Sequence, residues 1–176
     1  LITVDALRAD RLGAYGYRRR PTPRFDALAR QGVLFERAYA PVPHSSFSIS
    51  SLHTGTPLHA VISMAEPGVD ETGREHVARR PTLADVLRAQ GYRTAAFYTP
   101  GIFHTDGDRL SVYNDSRFGF ESADRVSRLG PEMTDRVIQQ LDEIVARGEP
   151  KFFLWAHYFD PHEPYLPTTY GTSPSD

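Results

Sequence analysis

Pro81-Thr-Leu-Ala-Asp-Val-Leu-Arg-Ala-Gln-Gly91-Tyr-Arg-Thr94-Ala-Ala-Phe97 places a helix, a stop and a strand in immediate succession. Leu83, Val86 and Leu87 recur on one helical face, Gly91 ends the helix, and Thr94 to Phe97 reads as a strand. Helix, glycine, strand is the rhythm of an α/β protein. Working outward, the same grammar recurs. Upstream, Thr22-Pro-Arg-Phe-Asp-Ala-Leu-Ala-Arg-Gln-Gly32 has a cap, a proline at the first helical position, apolar Phe25, Leu28 and Ala29, and a terminating glycine. Downstream, Gly130-Pro131 opens the longest helix, with Met133, Val137, Leu141, Ile144 and Val145 at helical spacing and Gly148 as its stop.

Strands are expected near 1–4, 33–39, 94–98 and 151–157, and helices near 23–31, 46–54, 82–90 and 131–147. Such alternation implies an α/β fold with a mostly parallel central sheet and helices on both faces. Residues 56–80 lack clear periodicity and read as a surface excursion, and 101–129 read as irregular.

The 176 residues, 40% hydrophobic and 24% charged, suit one globular domain with a sizeable core. A net charge of -2 and a pI near 6.4 argue against a nucleic-acid partner. Arg18, Arg19 and Arg20 form a short basic run that reads as a solvated loop. Without cysteine there are no disulfides, thiolate metal sites or Cys nucleophiles. No apolar run reaches membrane-spanning length. The chain opens on Leu1 as if a strand had already begun, so it is expected to be truncated at both ends. A missing upstream signal or anchor would be compatible with a periplasmic, extracellular or membrane-associated location.

Four places carry chemistry. Pro43-His-Ser-Ser-Phe-Ser-Ile-Ser-Ser-Leu-His-Thr-Gly55 reads as a turn feeding a helix, with Ser45 or Ser46 at its start. A helix N-terminus favours an anion, so a sulfate or phosphate oxygen can rest beside Ser45 or Ser46; the same serines also suit plain capping. Asp5 ends the first strand, where open α/β sheets collect ligands; it suits either a hard cation or a cap for the next turn. His157-Tyr-Phe-Asp-Pro-His162-Glu-Pro-Tyr165 leaves the last strand as an extended loop that can reach a ligand held by Asp5 or Ser45. His104, Asp106 and Asp108 suit either a metal site or a solvated turn.

Taken together, Asp5-Ala-Leu-Arg-Ala-Asp10-Arg-Leu-Gly-Ala-Tyr-Gly16, Thr22-Pro-Arg-Phe-Asp-Ala-Leu-Ala29, Ser51-Leu-His-Thr-Gly55, Thr82-Leu-Ala-Asp-Val-Leu87, Gly91-Tyr-Arg-Thr-Ala-Ala96 and His157-Tyr-Phe-Asp-Pro-His162-Glu-Pro resemble the N-terminal part of sulfatases, within the alkaline phosphatase superfamily. The resemblance covers essentially the whole chain, in the family's order. It implies an N-terminal portion of one catalytic domain that hydrolyses sulfuric or phosphoric esters of small molecules or glycans. It also implies Asp5 as a metal ligand, for Ca²⁺ first and Mg²⁺, Mn²⁺ or Zn²⁺ otherwise, Ser45 as nucleophile, and His162 near the leaving-group oxygen.

The departures are specific. Where the family has a second Asp there is Ala6. Where maturation of the nucleophile to formylglycine reads Pro or Ala and then Arg, this chain has Phe47 and Ile49. Formylglycine at Ser45 is therefore not expected, and an unmodified alcohol takes its place. Thr99 and Gly101 stand in the family's Lys and His places, with His104 as the substitute. Two alternatives follow from these losses: an inactive sulfatase-like protein that binds anions or sugars, and a transferase of phospho-groups from the same superfamily.

Overall fold

The computed structural model describes residues 1–57, 67–69, 75–77, 81–99, 117–124 and 130–162. In chain order they form β1 (Ile2–Val4), α1 (Pro23–Gln31), α2 (Ser45–Thr54), β2 (Pro67–Val69), β3 (Glu75–Val77), α3 (Leu83–Ala89), β4 (Arg93–Phe97), β5 (Ser122–Asp124), α4 (Gly130–Ala146) and β6 (Phe152–Tyr158). Short 3-10 turns occupy Ala9–Arg11, Gly13–Tyr15 and Arg117–Gly119.

Four strands make a wholly parallel sheet in the order β1-β6-β4-β5, and β2 pairs with β3 as a separate antiparallel ribbon. The two inner strands, β6 and β4, carry the apolar runs that the sequence shows most clearly. Because side chains alternate across a strand, each sends its residues to two different cores. Ala96, Tyr98 and Trp155 meet Ile49 of α2, Ala84 of α3, Phe118 and Phe120 on one face. Ala95, Phe97 and Leu154 meet Met133 and Ile144 of α4 on the other. Helices thus cover both faces of a parallel sheet, as expected for an α/β protein. The center of the first core is Trp155, fully buried, with Tyr98 stacked at 5.2 Å and the His53 ring at 4.4 Å.

The helix ends are set by local chemistry. Thr82 and Asp85 form a reciprocal capping box at α3: the Thr82 N–H donates to Asp85 Oδ2 at 2.8 Å, and the Asp85 N–H donates to Thr82 Oγ1 at 3.3 Å. Thr82 Oγ1 also donates to the Phe118 carbonyl at 2.7 Å, which ties α3 to the turn before β5. Asp160 accepts the Gly130 N–H at 2.7 Å and so anchors the start of α4 to the loop after β6.

Several expectations need correction. Residues 33–39 form no strand: Val33, Phe35 and Tyr39 are exposed, and the Phe35 carbonyl accepts from Tyr15 Oη at 2.9 Å instead of joining a ladder. A β-rich local composition is not enough where no sheet neighbour is offered. Val86 and Val145 point outward, so α3 packs through Ala84 and α4 through Met133 and Ile144. β5 lies in the stretch read as irregular, and β2 and β3 lie in the stretch read as an excursion. Among the described residues no helix is long and apolar enough to cross a membrane.

Candidate active site

The site forms where β1 and β6 end side by side. Ile2, Thr3 and Val4 pair in parallel register with Ala156, His157 and Tyr158. The Asp5 N–H continues the ladder by donating to the Tyr158 carbonyl at 2.8 Å, which fixes the Asp5 backbone at the carboxyl edge of the sheet. Ala6 then adopts φ 53, a left-handed conformation that costs a non-glycine residue about 1 kcal/mol. That turn carries the main chain away and leaves the Asp5 carboxylate facing α2.

Ser45 is the first residue of α2, not its cap. His44 occupies the cap position with extended backbone and makes no side-chain cap hydrogen bond. The Ser45 hydroxyl is thereby released from helix capping, and it donates to both carboxylate oxygens of Asp5, at 3.0 Å to Oδ1 and 2.9 Å to Oδ2. Residues 40 positions apart are joined at a helix N-terminus, where main-chain N–H groups point outward and favour an anion.

Behind Asp5 lies a buried polar relay that the sequence did not announce. Trp155 Nε1 donates to Thr3 Oγ1 at 2.9 Å, and Thr3 Oγ1 meets His157 Nδ1 at 2.7 Å. Indole N–H is a donor only, so Thr3 accepts from Trp155 and has its own proton to give to His157 Nδ1. The His157 tautomer that satisfies this arrangement carries its proton on Nε2. That atom faces Asp5 Oδ2 at 3.4 Å, longer than a good hydrogen bond and close enough for strong electrostatic attraction. Burial raises the Asp5 pKa, but hydrogen-bonding contacts with His157 and Ser45 and the electrostatic pull of His157 and His162 together hold it below the ordinary carboxylate value. Asp5 is kept as an anion although largely enclosed.

His162 reaches the same neighbourhood. Its N–H donates to the Phe159 carbonyl at 2.9 Å, and its ring stacks on Phe159 at 4.3 Å. The aspartate of this loop, Asp160, is turned away to α4. Ser46, expected beside a substrate anion, is fully buried with its hydroxyl 2.9 Å from His44 Nδ1. Asp5 and Ser45 are therefore in direct contact and His162 lies near enough for its charge to act on Asp5, whereas the Ser46 side chain is turned to His44. His104, Asp106, Asp108 and Gly101 lie outside the described residues. Ile49, in the place of the maturation arginine, is buried against the first core.

A model of the family described as Sulfatase matches residues 1–175. This chain belongs to the sulfatase family. Two relatives agree: arylsulfatase A of Bos taurus is 38% identical over 97 residues, 53% of this chain and 18% of the relative. The ulvan-active sulfatase of Formosa agariphila is 30% identical over 123 residues, 68% of this chain and 22% of the relative. This sulfatase chain thus spans about a fifth of the length of the curated relatives it matches.

Solved structures share the fold. A protein of the alkaline phosphatase superfamily from Vibrio parahaemolyticus superposes with a TM-score of 0.65 at 22% identity, covering 99% of this chain and 43% of that one. BT4656 in complex with its substrate D-glucosamine-2-N,6-O-disulfate superposes with a TM-score of 0.64 at 18% identity, covering 95% and 35%. The sulfatase chain therefore has the alkaline phosphatase-like α/β fold.

Metal binding is the remaining element. Among the described residues no group of three or more His, Cys, Asp or Glu side chains could hold a metal ion. The ionised Asp5 carboxylate and the Ser45 oxygen are hard donors that suit a cation such as Ca²⁺, which takes six or more oxygens. They fit as part of such a site and do not complete it.

Proposed function

We propose that this chain carries the nucleophile half of a hydrolase of sulfuric or phosphoric esters, with Ser45 as an unmodified nucleophile. The observation that carries the reading is the Ser45 hydroxyl held by both oxygens of Asp5 at the start of α2. Asp5 orients the hydroxyl and is the nearest base for its proton. Ser45 Oγ forms a bond to sulfur or phosphorus as the bond to the leaving alcohol oxygen breaks, and His162 gives that oxygen a proton. Water then attacks the sulfur or phosphorus of the seryl ester, the bond to Ser45 Oγ breaks with its proton returned, and inorganic sulfate or phosphate leaves. The first-turn N–H groups of α2 face the developing charge on the remaining oxygens.

Asp5 is the residue here that would hold a divalent cation, Ca²⁺ first, together with ligands from elsewhere in the protein. When bound, such a cation lowers the pKa of the serine alcohol and neutralises charge on the ester oxygens. The burial of Ile49 supports an unmodified serine, because no arginine is present to anchor a formylglycine. Substrates are small-molecule or glycan esters.

The test uses the full-length protein with Ca²⁺, Mg²⁺, Mn²⁺ or Zn²⁺ and an aryl sulfate and an aryl phosphate. Hydrolysis of either, lost in Ser45→Ala, is expected. Activity that survives Ser45→Ala would sink the assignment.

A further inference from the structure

The basic run at 18–20 gains a fourth member in the fold. Arg11, Tyr17, Arg19 and Arg20 line a cleft of about 590 Å³. Tyr17 is the pivot: its N–H donates to the Leu12 carbonyl at 3.1 Å, and the Arg11 guanidinium lies 5.5 Å from its ring centre. The cleft is strongly cationic. Between residues 11 and 24 there are five arginines and no acid. The neighbouring acids are engaged: Asp10 accepts two hydrogen bonds of 2.9 and 2.7 Å from Arg8 and lies within the field of Arg11, and Asp26 accepts from Thr22 Oγ1 at 3.0 Å. Among the described residues Arg11, Arg19 and Arg20 make no salt bridge, and all three are exposed.

The cleft is carried by the loop that follows Asp5 and connects β1 to α1. The chain leaves β1 at Asp5 and begins α1 at Pro23, and the Gly13 N–H donates to Thr22 Oγ1 at 2.8 Å, which closes the loop between them. Tyr15 Oη ties the same loop to Phe35, on the segment that leads into Ser45. Guanidinium forks match the oxygens of sulfate, phosphate and carboxylate groups.

We propose that this cleft is a second anion subsite, which holds a sulfate, phosphate or carboxylate group of an oligosaccharide chain while another ester of that chain lies at Ser45. The inference rests on the ester hydrolase reading and extends it: polyanionic glycans are bound in preference to singly charged esters.

The experiment compares full-length protein with the Arg19→Ala/Arg20→Ala variant on an aryl sulfate, a monosulfated tetrasaccharide and a persulfated tetrasaccharide of the same sugar sequence. Wild type should show its lowest KM on the persulfated chain. The double variant should raise that KM about tenfold, as two exposed charge-assisted contacts are lost, and flatten its dependence on salt. Its kcat/KM on the aryl sulfate should not change. An unchanged KM for the persulfated chain, or an equal loss on the aryl sulfate, overturns the subsite. Calorimetric binding of the persulfated tetrasaccharide to Ser45→Ala protein separates the two readings. Arginine-dependent binding without hydrolysis of any ester by wild type would keep the subsite and remove the hydrolase, and hydrolysis indifferent to the arginines would do the reverse.

Discussion

Thr3 and His157 face each other across the parallel β1–β6 pair, and Thr3 Oγ1 lies 2.7 Å from His157 Nδ1. This contact links the Trp155 indole to Asp5 through two side chains. Thr3→Val keeps the shape and the strand preference but removes the shared oxygen, leaving the buried Trp155 Nε1 and His157 Nδ1 without it. A loss of about 1–3 kcal/mol per unsatisfied group is expected in denaturant titration of the full-length protein. His157 would also lose the restraint that keeps it beside Asp5, so kcat should fall more than KM rises. Unchanged stability and kcat would show that the relay is idle.

The relay also shows what the sequence could and could not reveal. β4, β6 and α4 were legible because their apolar periodicity is long. Ser45, Asp5 and His162 stand at element ends, where turn and cap chemistry marks them. His157 reads as the first residue of the loop that reaches the site. Its pairing with Thr3, and the Thr3–Trp155 contact behind it, were not legible, although Thr3 and Asp5 alternate to one side of β1 and Trp155 and His157 to one side of β6. Those sides meet only because β1 neighbours β6, and strand order follows from packing that no local pattern encodes. β5 has three residues, too few for a period, and 33–39 misled because its apolar side chains are not enclosed.

Gly119 should tolerate no side chain. It sits at φ +82, and a Cβ there would lie 2.5 Å from Thr82 Oγ1 and 2.6 Å from Asp85 Oδ1. Gly119→Ala would strain the backbone and break the α3 capping box together. The expected cost is about 2–4 kcal/mol, the sum of a left-handed alanine and a lost cap. A melting temperature equal to wild type would contradict this.

Mass spectrometry of the Ser45 peptide from purified protein should find serine and no formylglycine. Restoring the missing arginine should not rescue maturation. Ile49 is 5% exposed and packs in the core with Trp155, so Ile49→Arg buries a charge with no partner. Loss of soluble, folded protein is the expected result, at a cost of about 3 kcal/mol or more. A folded Ile49→Arg protein carrying formylglycine would reverse the reading of this segment.

His53 makes stability depend on acid. It is 2% exposed, its ring is enclosed by Phe118, Phe120 and Trp155 at 5.0, 5.8 and 4.4 Å, and neither ring nitrogen has a hydrogen-bond partner among the described residues. Burial, with smaller repulsion from His157 and the N-terminus, lowers its pKa from 6.5 to about 3. The folded protein therefore holds His53 neutral, while the unfolded chain binds a proton below pH 6.5. The contribution of the neutral ring is whole above that value and is lost as pH falls through the window down to about 3, at about 1.4 kcal/mol per unit. Other groups titrate in this range, so the informative quantity is the difference between wild type and His53→Phe. Denaturant titrations of both at pH 7.5, 6, 5 and 4.5 should show His53→Phe gaining on wild type at each step downward. A constant difference across that range would mean that the His53 ring reaches water or a partner when protonated.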